Sequence, residues 1–260
     1  MKIPKIVHYC WFGGNKKPER VNEYLKTWSK LDGYEVIEWN ERNFDINSCD
    51  FIKKAYNEKK WAFVSDYVRL KVLQEYGGIY LDTDVEIKKD FKELLNNKMF
   101  VGFIYDCSIG TAVIGAEKNN PIINELIKLY EKAEFKVKNK SIILEFKGYE
   151  DQVTNNNNDL FTAFLIKYDK NFRLNNSTQY LDEITIFSKE YFERKTKNKE
   201  IDFAVHHCYG SWYKDDPNSR SKVAIIINNI IGDILYDKLQ CYLKLRKLPY
   251  YKIYLEHKRK

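Results

Sequence analysis

The most informative stretch of this chain is Gly77-Gly78-Ile79-Tyr80-Leu81-Asp82-Thr83-Asp84-Val85-Glu86. Apolar and polar residues alternate along it, which is the pattern of a half-buried β-strand. In such a strand Asp82 and Asp84 share one face, with their Cα atoms about 6.6 Å apart. Two carboxylates so close repel each other unless a proton or a cation lies between them. The spacing therefore favours a divalent metal site. The alternative is a polar edge strand with solvated aspartates.

The preceding residues 61–76 predict an amphipathic helix that ends at Gly77-Gly78. Ser65, Asp66 and Arg69 lie within one turn of this helix, so their side chains can converge on one face. The glycine turn is short and keeps them near the paired aspartates. An aspartate accepts hydrogen bonds from hydroxyl groups and an arginine donates to them, which suits a sugar. The alternative is a surface ion pair between Asp66 and Arg69, worth ~0–1 kcal/mol.

A pair of histidines stands far along the chain, in His206-His207-Cys208-Tyr209-Gly210-Ser211-Trp212. A histidine at the end of a strand could complete a metal site that begins with Asp84. Ser211 and the backbone N–H groups beside Gly210 could bind a diphosphate, and Trp212 could cover the ligand. The alternative is two ordinary histidines and a core tryptophan.

The opening strand, residues 5–11, ends in a glycine turn at Phe12-Gly13-Gly14. Ligands of open α/β sheets bind beyond the carboxyl ends of the strands, which is where Trp11 stands. An indole ring there could stack on a nucleobase, an interaction worth roughly 1–3 kcal/mol. The alternative is a tryptophan buried in the core.

Strands alternate with helices over the first half of the chain, which predicts an α/β fold with a mostly parallel central sheet. We expect one domain over residues 1–217 and a basic helical extension over 218–260. The other expected strands are Tyr34–Trp39, Met99–Tyr105, Ala112–Ala116, Ile184–Phe187 and Asp202–Cys208. The other expected helices are Pro18–Leu31, Cys49–Lys59, one that Pro121 opens and the residues from Lys222 onward. Residues 155–158 are expected to form a loop.

The net charge of +7 suits anionic partners, whether nucleotide phosphates, anionic lipid or nucleic acid, and does not choose among them. The five cysteines are scattered, which argues against a disulfide framework. The sequence predicts neither a signal peptide nor a membrane span. The expectation is a reduced, cytoplasmic protein, soluble or peripheral on the inner face of the membrane.

The residues from Lys238 onward are basic and rich in leucine and tyrosine, as in a helix that lies at an anionic lipid surface. The apolar members are Leu243, Leu245, Leu248, Tyr250, Tyr251 and Tyr254. The alternative is a solvated helical face.

Together these motifs resemble glycosyltransferase family 32, the group with a D-x-D sugar-binding region, and more distantly the glucosylating toxins of clostridia. The resemblance rests on residues 6–14, 62–86, 184–192 and 206–212. It implies a GT-A (Rossmann-like) fold, a nucleotide-sugar donor that is usually UDP-linked, and Mn²⁺, with Mg²⁺ as the other option. It also implies retention of anomeric configuration.

The resemblance implies a role for each matching residue. Trp11 would stack on uracil, Ser65, Asp66 and Arg69 would contact the ribose and donor sugar, and Tyr80 would lie on the donor side. Asp82 would bridge sugar and metal, Asp84 would be a metal ligand, and Ser211 and Trp212 would hold the diphosphate. The catalytic set would be Asp66, Arg69, Asp82 and Asp84. One histidine would be a further metal ligand; His207 is preferred because related enzymes place this ligand three residues before a glycine, and His206 stays open.

The resemblance implies transfer of a hexose to a saccharide or a lipid-linked oligosaccharide, in capsule or other surface polysaccharide synthesis. No nucleic-acid partner is expected. Where many members carry Gly-Pro before a helix, this chain has residues Asn157-Asn158-Asp159, which leaves the acceptor open. One rival function is a metal-dependent sugar nucleotidyltransferase. Another is a non-catalytic basic module that binds membranes.

Overall fold

The computed structural model describes residues 1–138, 141–149, 157–208 and 232–259. The strands are β1 (Ile6–Cys10), β2 (Glu35–Trp39), β3 (Gly78–Leu81), β4 (Val85–Ile87), β5 (Met99–Tyr105), β6 (Ser108–Ala116), β7 (Glu134–Lys138), β8 (Ser141–Glu145), β9 (Gln179–Tyr180), β10 (Thr185–Phe187) and β11 (Ala204–His206). The α-helices are α1 (Glu19–Lys26), α2 (Asp50–Asn57), α3 (Trp61–Tyr76), α4 (Pro121–Glu131), α5 (Asn157–Tyr168), α6 (Asp233–Leu245) and α7 (Tyr251–Arg259).

A central sheet of seven strands runs through the described residues in the order β2-β1-β3-β6-β5-β10-β9. The pairs β1–β2, β1–β3 and β5–β10 are parallel. Strands β6 and β9 run against their neighbours, so five of the seven described strands share one direction. The predicted α/β class with a mostly parallel central sheet is confirmed.

The prediction of one continuous strand through the two aspartates is wrong. Strand β3 ends at Leu81, and residues 82–84 form a turn that is closed by a 3.1 Å hydrogen bond from Val85 N–H to the Asp82 carbonyl oxygen. The chain then continues as β4, which leaves the central sheet and pairs antiparallel with β11. The alternating pattern therefore spans two strands of different sheets, because the second strand pairs with a distant segment.

Helix α3 has the predicted bounds, but it is not amphipathic. Its buried residues lie all around the helix, and include Val64, Asp66, Arg69 and Leu73. The reason is that the sheet covers one side while α2 and α4 pack against the others. A helix that is covered on all sides shows no polar stripe.

The turn between α3 and β3 needs both of its glycines. Gly77 and Gly78 have φ angles of +67° and +109°, which residues with a side chain rarely adopt. A Cβ atom on Gly78 would lie 2.6 Å from the Ile6 carbonyl oxygen and 2.9 Å from Nε2 of His8. The close approach of β1 to this turn therefore fixes the position of α3 relative to the paired aspartates.

His8 is buried against this turn as a neutral imidazole. Its Nε2 lies 2.8 Å from the Gly77 carbonyl oxygen and must donate, and its Nδ1 accepts from Trp39 Nε1 at 3.1 Å. Burial lowers the pKa of His8 to about 4, although the hydrogen bond to Gly77 opposes the shift. A proton on Nδ1 would remove the acceptor that Trp39 needs.

Most of the remaining element predictions hold within a few residues. The strand expected at Ala112–Ala116 begins earlier, at Ser108, and Pro18 precedes helix α1 instead of lying in its first turn. The β7–β8 hairpin was not predicted. The loop expected over residues 155–158 is wrong for its described part, because Asn157 and Asn158 form the first turn of α5. Short polar residues favour helix starts as well as loops.

The C-terminal helices α6 and α7 pack on the rest of the fold. Leu245, Tyr250 and Tyr254 are buried in the main apolar cluster, and the Tyr250 hydroxyl donates to the Asp159 carbonyl oxygen at 2.8 Å. Over the described parts of the chain, every helix is too short or too polar to cross a lipid bilayer.

Candidate metal and donor site

Three side chains of the kinds that can bind a metal ion meet beyond the carboxyl end of β3. Asp82 follows β3, Asp84 precedes β4, and His206 ends β11, which pairs with β4 so that His206 lies opposite Val85. The candidate ligand atoms of Asp82, Asp84 and His206 all lie within 4.8 Å of one another. Two carboxylates and one imidazole form a donor set that suits a divalent cation.

His206 lies between two carboxylates. Its Nε2 is 3.4 Å from Oδ1 of Asp84, and its Nδ1 is 2.6 Å from Oε2 of Glu193. Burial disfavours the imidazolium, but the neighbouring Cys208, Glu193 and Asp84 outweigh burial and raise the pKa of His206 well above its usual value. The surroundings of this histidine are therefore strongly negative, as a cation site requires.

His207 points away from the paired aspartates. Its Nε2 is 3.0 Å from Oε2 of Glu86, its ring stacks on Tyr24 with centroids 4.5 Å apart, and burial lowers its pKa. Its backbone N–H donates to the Asp84 carbonyl oxygen at 3.0 Å. Neighbouring residues of an extended chain point to opposite sides, so the geometry favours His206 over His207 as the ligand.

Arg69 links helix α3 to Asp82, the residue that follows β3. Its Nη2 lies 3.0 Å from Oδ1 of Asp66 and 3.3 Å from Oδ1 of Asp82. Its Nη1 donates to the Thr111 carbonyl oxygen at 2.8 Å, and its guanidinium lies over the Tyr80 ring, 4.5 Å from the centroid. Arg69 is 5% exposed and Asp66 is 8% exposed, so this is a buried network and not a surface ion pair.

Both acidic partners of Arg69 have raised pKa values. Burial raises the pKa of Asp66 to about 6, with Arg69 opposing the shift and Asp82 adding to it. Burial also raises the pKa of Asp82, Arg69 lowers it, and the charge of Asp84 raises it again. The Tyr80 hydroxyl donates to Oδ1 of Asp82 at 3.1 Å. The repulsion between Asp82 and Asp84 is what a bound cation would relieve.

The other predicted donor residues divide into three groups. Trp11 follows β1, which lies beside β3, and its side chain is half-buried. Its Nε1 donates to the Asn15 carbonyl oxygen at 2.6 Å, so it is not a core tryptophan. The Ser65 hydroxyl donates to the Trp61 carbonyl oxygen at 3.0 Å within α3. Ser211 and Trp212 lie outside the described residues, so their roles stay predictions.

Glu193 was not predicted as part of the site. It is 2% exposed, follows Phe192, and contacts the backbone of β6 at Gly110, where a larger residue would clash with its carboxylate. No motif in the sequence indicates it. The signal that could have found it is Gly110, because a glycine inside a buried strand indicates a close approach by another group.

Residues 18–101, which include the Arg69 helix and both aspartates, match the family described as "Glycosyltransferase sugar-binding region containing DXD motif". The resemblance to the D-x-D glycosyltransferases is confirmed. An uncharacterized glycosyltransferase of Acanthamoeba polyphaga mimivirus is 27% identical over 137 residues, 48% of this chain and 55% of the viral protein. Inositol phosphoceramide mannosyltransferase 3 of Schizosaccharomyces pombe is 29% identical over 131 residues, 48% of this chain and 36% of that protein.

The solved structure of PaToxG glycosyltransferase overlaps 65% of this chain and 70% of its own, with a TM-score of 0.47 and 20% identity. This overlap is too loose to assign a residue's role. The family description and the names of the sequence relatives agree with the resemblance to D-x-D glycosyltransferases. Because the chain spans 55% and 36% of the two sequence relatives, its own reaction, donor and acceptor are matters of proposal.

Proposed function

We propose that this protein is a metal-dependent, retaining glycosyltransferase that moves a hexose from a nucleotide sugar, of the UDP-linked kind, to a saccharide or lipid-linked acceptor in surface polysaccharide synthesis. The observation that carries the proposal is the convergence of Asp82, Asp84 and His206 within 4.8 Å, next to the buried Asp66–Arg69 pair. A metal site for phosphates and a polar site for a sugar then lie side by side.

Asp82, Asp84 and His206 are the residues that would hold the cation. Carboxylate oxygens with one imidazole suit Mn²⁺ or Mg²⁺, and the site offers no thiolate among these ligands that would select a softer metal. When bound, the ion supplies positive charge to the diphosphate of the leaving nucleotide.

Arg69 holds the two carboxylates in place. An arginine has five N–H donors, and Arg69 directs its nitrogens to Asp66, Asp82 and the carbonyl oxygens of Ser65 and Thr111. Most of its donors are thus used inside the protein. We propose that Asp66 accepts hydrogen bonds from the hydroxyl groups of the donor sugar, because a carboxylate can accept several such bonds and Arg69 holds it beside Asp82.

Trp11 is proposed to stack on the base of the donor, because it is half-buried at the same edge of the sheet and its ring is not part of the core. Lys17 lies over the same ring, with its Nζ 5.5 Å from the centroid, and is paired with Glu38 at 2.6 Å. Retention is proposed on the resemblance alone, with the acceptor attacking the face from which the phosphate leaves.

A screen of nucleotide sugars for Mn²⁺-dependent release of UDP or GDP tests the function. The panel holds UDP-hexoses and also GDP-mannose, because one relative is named a mannosyltransferase. We expect turnover with one donor class, loss of turnover with EDTA, and recovery with Mn²⁺. Release of pyrophosphate from a nucleoside triphosphate and a sugar phosphate would instead support the nucleotidyltransferase, and absence of any turnover or nucleotide binding would contradict both.

We also propose that helix α6 contacts an anionic lipid surface. Leu245, Tyr250 and Tyr254, on which the sequence argument relied, pack into the core, but Leu235, Leu239, Tyr242 and Leu243 are 41–59% exposed. These four residues recur at the spacing of one helix face and form an exposed apolar stripe. A relative is named for inositol phosphoceramide, which supports a lipid-linked acceptor.

The charges around this stripe fit the same partner. Lys238 is exposed on the helix and Lys247 is exposed just past its C-terminal end. The Arg246 guanidinium donates to the Tyr242 hydroxyl at 2.9 Å. Asp237 is turned to the protein body, where it pairs with Arg194 at 3.1 Å. An apolar stripe with basic edges is typical of a helix that lies in the headgroup region.

Flotation with vesicles tests whether the apolar stripe binds an anionic lipid surface or a second copy of the protein. We expect the protein to float with phosphatidylcholine vesicles that contain phosphatidylserine and not with neutral ones. The double variant Leu239→Ser, Leu243→Ser should not float. Tyr180→Ser, which removes an even more exposed aromatic side chain on β9, should behave as the wild type. Equal flotation of all three proteins would contradict the proposal. A dimer in solution that the double variant abolishes would assign the stripe to a second copy instead.

A further inference from the structure

A buried carboxylate stands behind the metal-ligating histidine. Oε2 of Glu193 lies 2.6 Å from Nδ1 of His206, on the opposite side of the ring from Asp84. Glu193 is 2% exposed, and it does not belong to any of the motifs that predict the site. A fully buried glutamate is unusual unless it is paired, and among the described residues His206 is the side chain that pairs with Glu193.

The tautomer of His206 follows from this contact. A carboxylate only accepts hydrogen bonds, so Nδ1 of His206 carries the hydrogen and donates it to Glu193. The other nitrogen, Nε2, faces Asp84 at 3.4 Å. An imidazole binds a metal through the nitrogen whose lone pair is free of hydrogen, and the partner of the second nitrogen sets which one that is.

The fold holds Glu193 in this position without the help of a metal. The backbone N–H of Glu193 donates to the Lys189 carbonyl oxygen at 2.9 Å. The preceding Phe192 ring packs against Phe100, with centroids 5.6 Å apart, and against Phe203. On the sheet side, Gly110 of β6 leaves the space that the carboxylate occupies. The packing of Phe192 and the lack of a side chain at Gly110 together direct the Glu193 carboxylate toward His206.

We propose that Glu193 is a positioning residue that holds the His206 ring with Nε2 directed at the cation shared with Asp82 and Asp84. The inference rests on the proposed metal-dependent function. A merely structural Glu193–His206 pair would contribute to folding but would leave the intrinsic affinity of the folded protein for a cation unchanged. The two roles therefore differ in a quantity that can be measured without turnover.

The test is Mn²⁺ binding to the metal-free protein, followed by electron paramagnetic resonance. We expect Glu193→Leu to weaken Mn²⁺ binding by about 10- to 100-fold, the usual effect of losing an outer-shell partner of a metal-bound histidine. Glu193→Gln keeps an oxygen that can accept from Nδ1, and should lose less than about threefold. Glu183→Leu, which removes a glutamate paired with Lys98 at the far side of the sheet, is the matched control and should bind as the wild type.

Activity supplies a second readout. A positioning role predicts that raised Mn²⁺ concentrations restore the turnover of Glu193→Leu, since only the occupancy of the site has fallen. Gly110→Ala crowds the carboxylate while leaving Glu193 in the sequence, and we expect it to weaken Mn²⁺ binding in the same direction. If Glu193→Leu does not fold, as judged by circular dichroism, Glu193→Asp, which withdraws the carboxylate by one methylene group, replaces it in the comparison.

The outcomes separate this inference from the proposed function. If the wild type does not bind Mn²⁺, the metal site itself is wrong and the inference falls with it. If the wild type binds Mn²⁺, and the Glu193 variants bind it equally well while His206→Ala does not, the metal site stands and the positioning role is overturned.

Discussion

Nη2 of Arg69 lies 3.3 Å from Oδ1 of Asp82, so the first aspartate of the D-x-D motif meets a protein cation whether or not a metal is bound. Asp84 has a different partner, His206. The two aspartates of the motif are therefore not equivalent. In the proposed site, Asp82 lies between Arg69 and the cation, whereas Asp84 lies beside His206 and would serve the cation alone.

Arg69→Met should strongly destabilise the protein, because it leaves Asp66 and Asp82 buried without their cation. Breaking a buried pair in this way costs about 3–5 kcal/mol. Without Arg69 the pKa values of both carboxyls rise further above their unfolded values, so the loss should be largest near neutral pH and smaller in acid, where they are protonated. Urea unfolding at several pH values measures this. The exposed Arg42 provides the control Arg42→Met, and an equal loss at all pH values would contradict the argument.

Asp84→Asn should abolish the cation site. We expect Mn²⁺-dependent donor hydrolysis to fall by more than about 100-fold, since even outer-shell partners of a metal are worth about 10- to 100-fold. The melting temperature should also stop responding to Mn²⁺, whereas the wild type at 100 times its Kd should gain about 2.7 kcal/mol. The exposed Asp182 offers the control Asp182→Asn, which should keep both responses. Retained Mn²⁺ stabilisation in Asp84→Asn would remove it from the ligand set.

His206→Ala and His207→Ala distinguish the two adjacent histidines. We expect His206→Ala to weaken Mn²⁺ binding by more than about tenfold, because an inner ligand should cost at least as much as an outer-shell partner. His207→Ala should change Mn²⁺ binding little. It should instead lower the melting temperature, because the ring stack on Tyr24 is lost, an interaction worth about 0.5–1.5 kcal/mol. Titration calorimetry with Mn²⁺ and a thermal scan of both variants decide the matter, and the reverse pattern would assign the ligand to His207.

Trp11→Ala should raise the KM for the donor about tenfold or more, since the stacking of a base on an aromatic ring is worth ~1–3 kcal/mol. Trp11→Phe keeps an aromatic face and should lose less. The steady-state KM and kcat of both variants provide the measurement. A KM unchanged in Trp11→Ala would return Trp11 to a structural role in the glycine turn.

His8 should make the protein less stable in acid. Its pKa is 6.5 in the unfolded chain and about 4 in the folded protein, so the unfolded state binds a proton that the folded state excludes. Stability from this residue is complete above pH 6.5 and is lost as the pH falls toward 4, by about 3 kcal/mol in all. Urea midpoints across this pH range should therefore fall more steeply for the wild type than for His8→Gln. Parallel pH profiles would contradict the buried neutral histidine.

The sequence was sufficient for the parts of the site that are close together in the chain. The glycine pair after Tyr76 sets the end of α3, and the one-turn spacing of Asp66 and Arg69 predicts the contact that the structure contains. The turn at the aspartates could not be predicted, because β4 leaves the sheet to pair with β11, a partner that local alternation does not reveal.

The choice between His206 and His207 depends on which side of β11 faces the aspartates, and a one-residue difference reverses that side. A glycine spacing taken from relatives cannot settle such a parity. Glu193 is missing from the sequence argument for a similar reason. It reaches His206 through the packing of Phe192 and the space beside Gly110, which are both products of tertiary structure.

The antiparallel pair of β4 and β11 has a consequence for how the protein acquires its cation. A ribosome releases Asp82 and Asp84 long before it releases His206, and only the docking of β11 unites them. High-affinity binding of Mn²⁺ would therefore indicate that β11 has paired with β4. A shortened chain that stops before Ala204 would keep the acidic motif intact and still lack His206, the third of the proposed ligands.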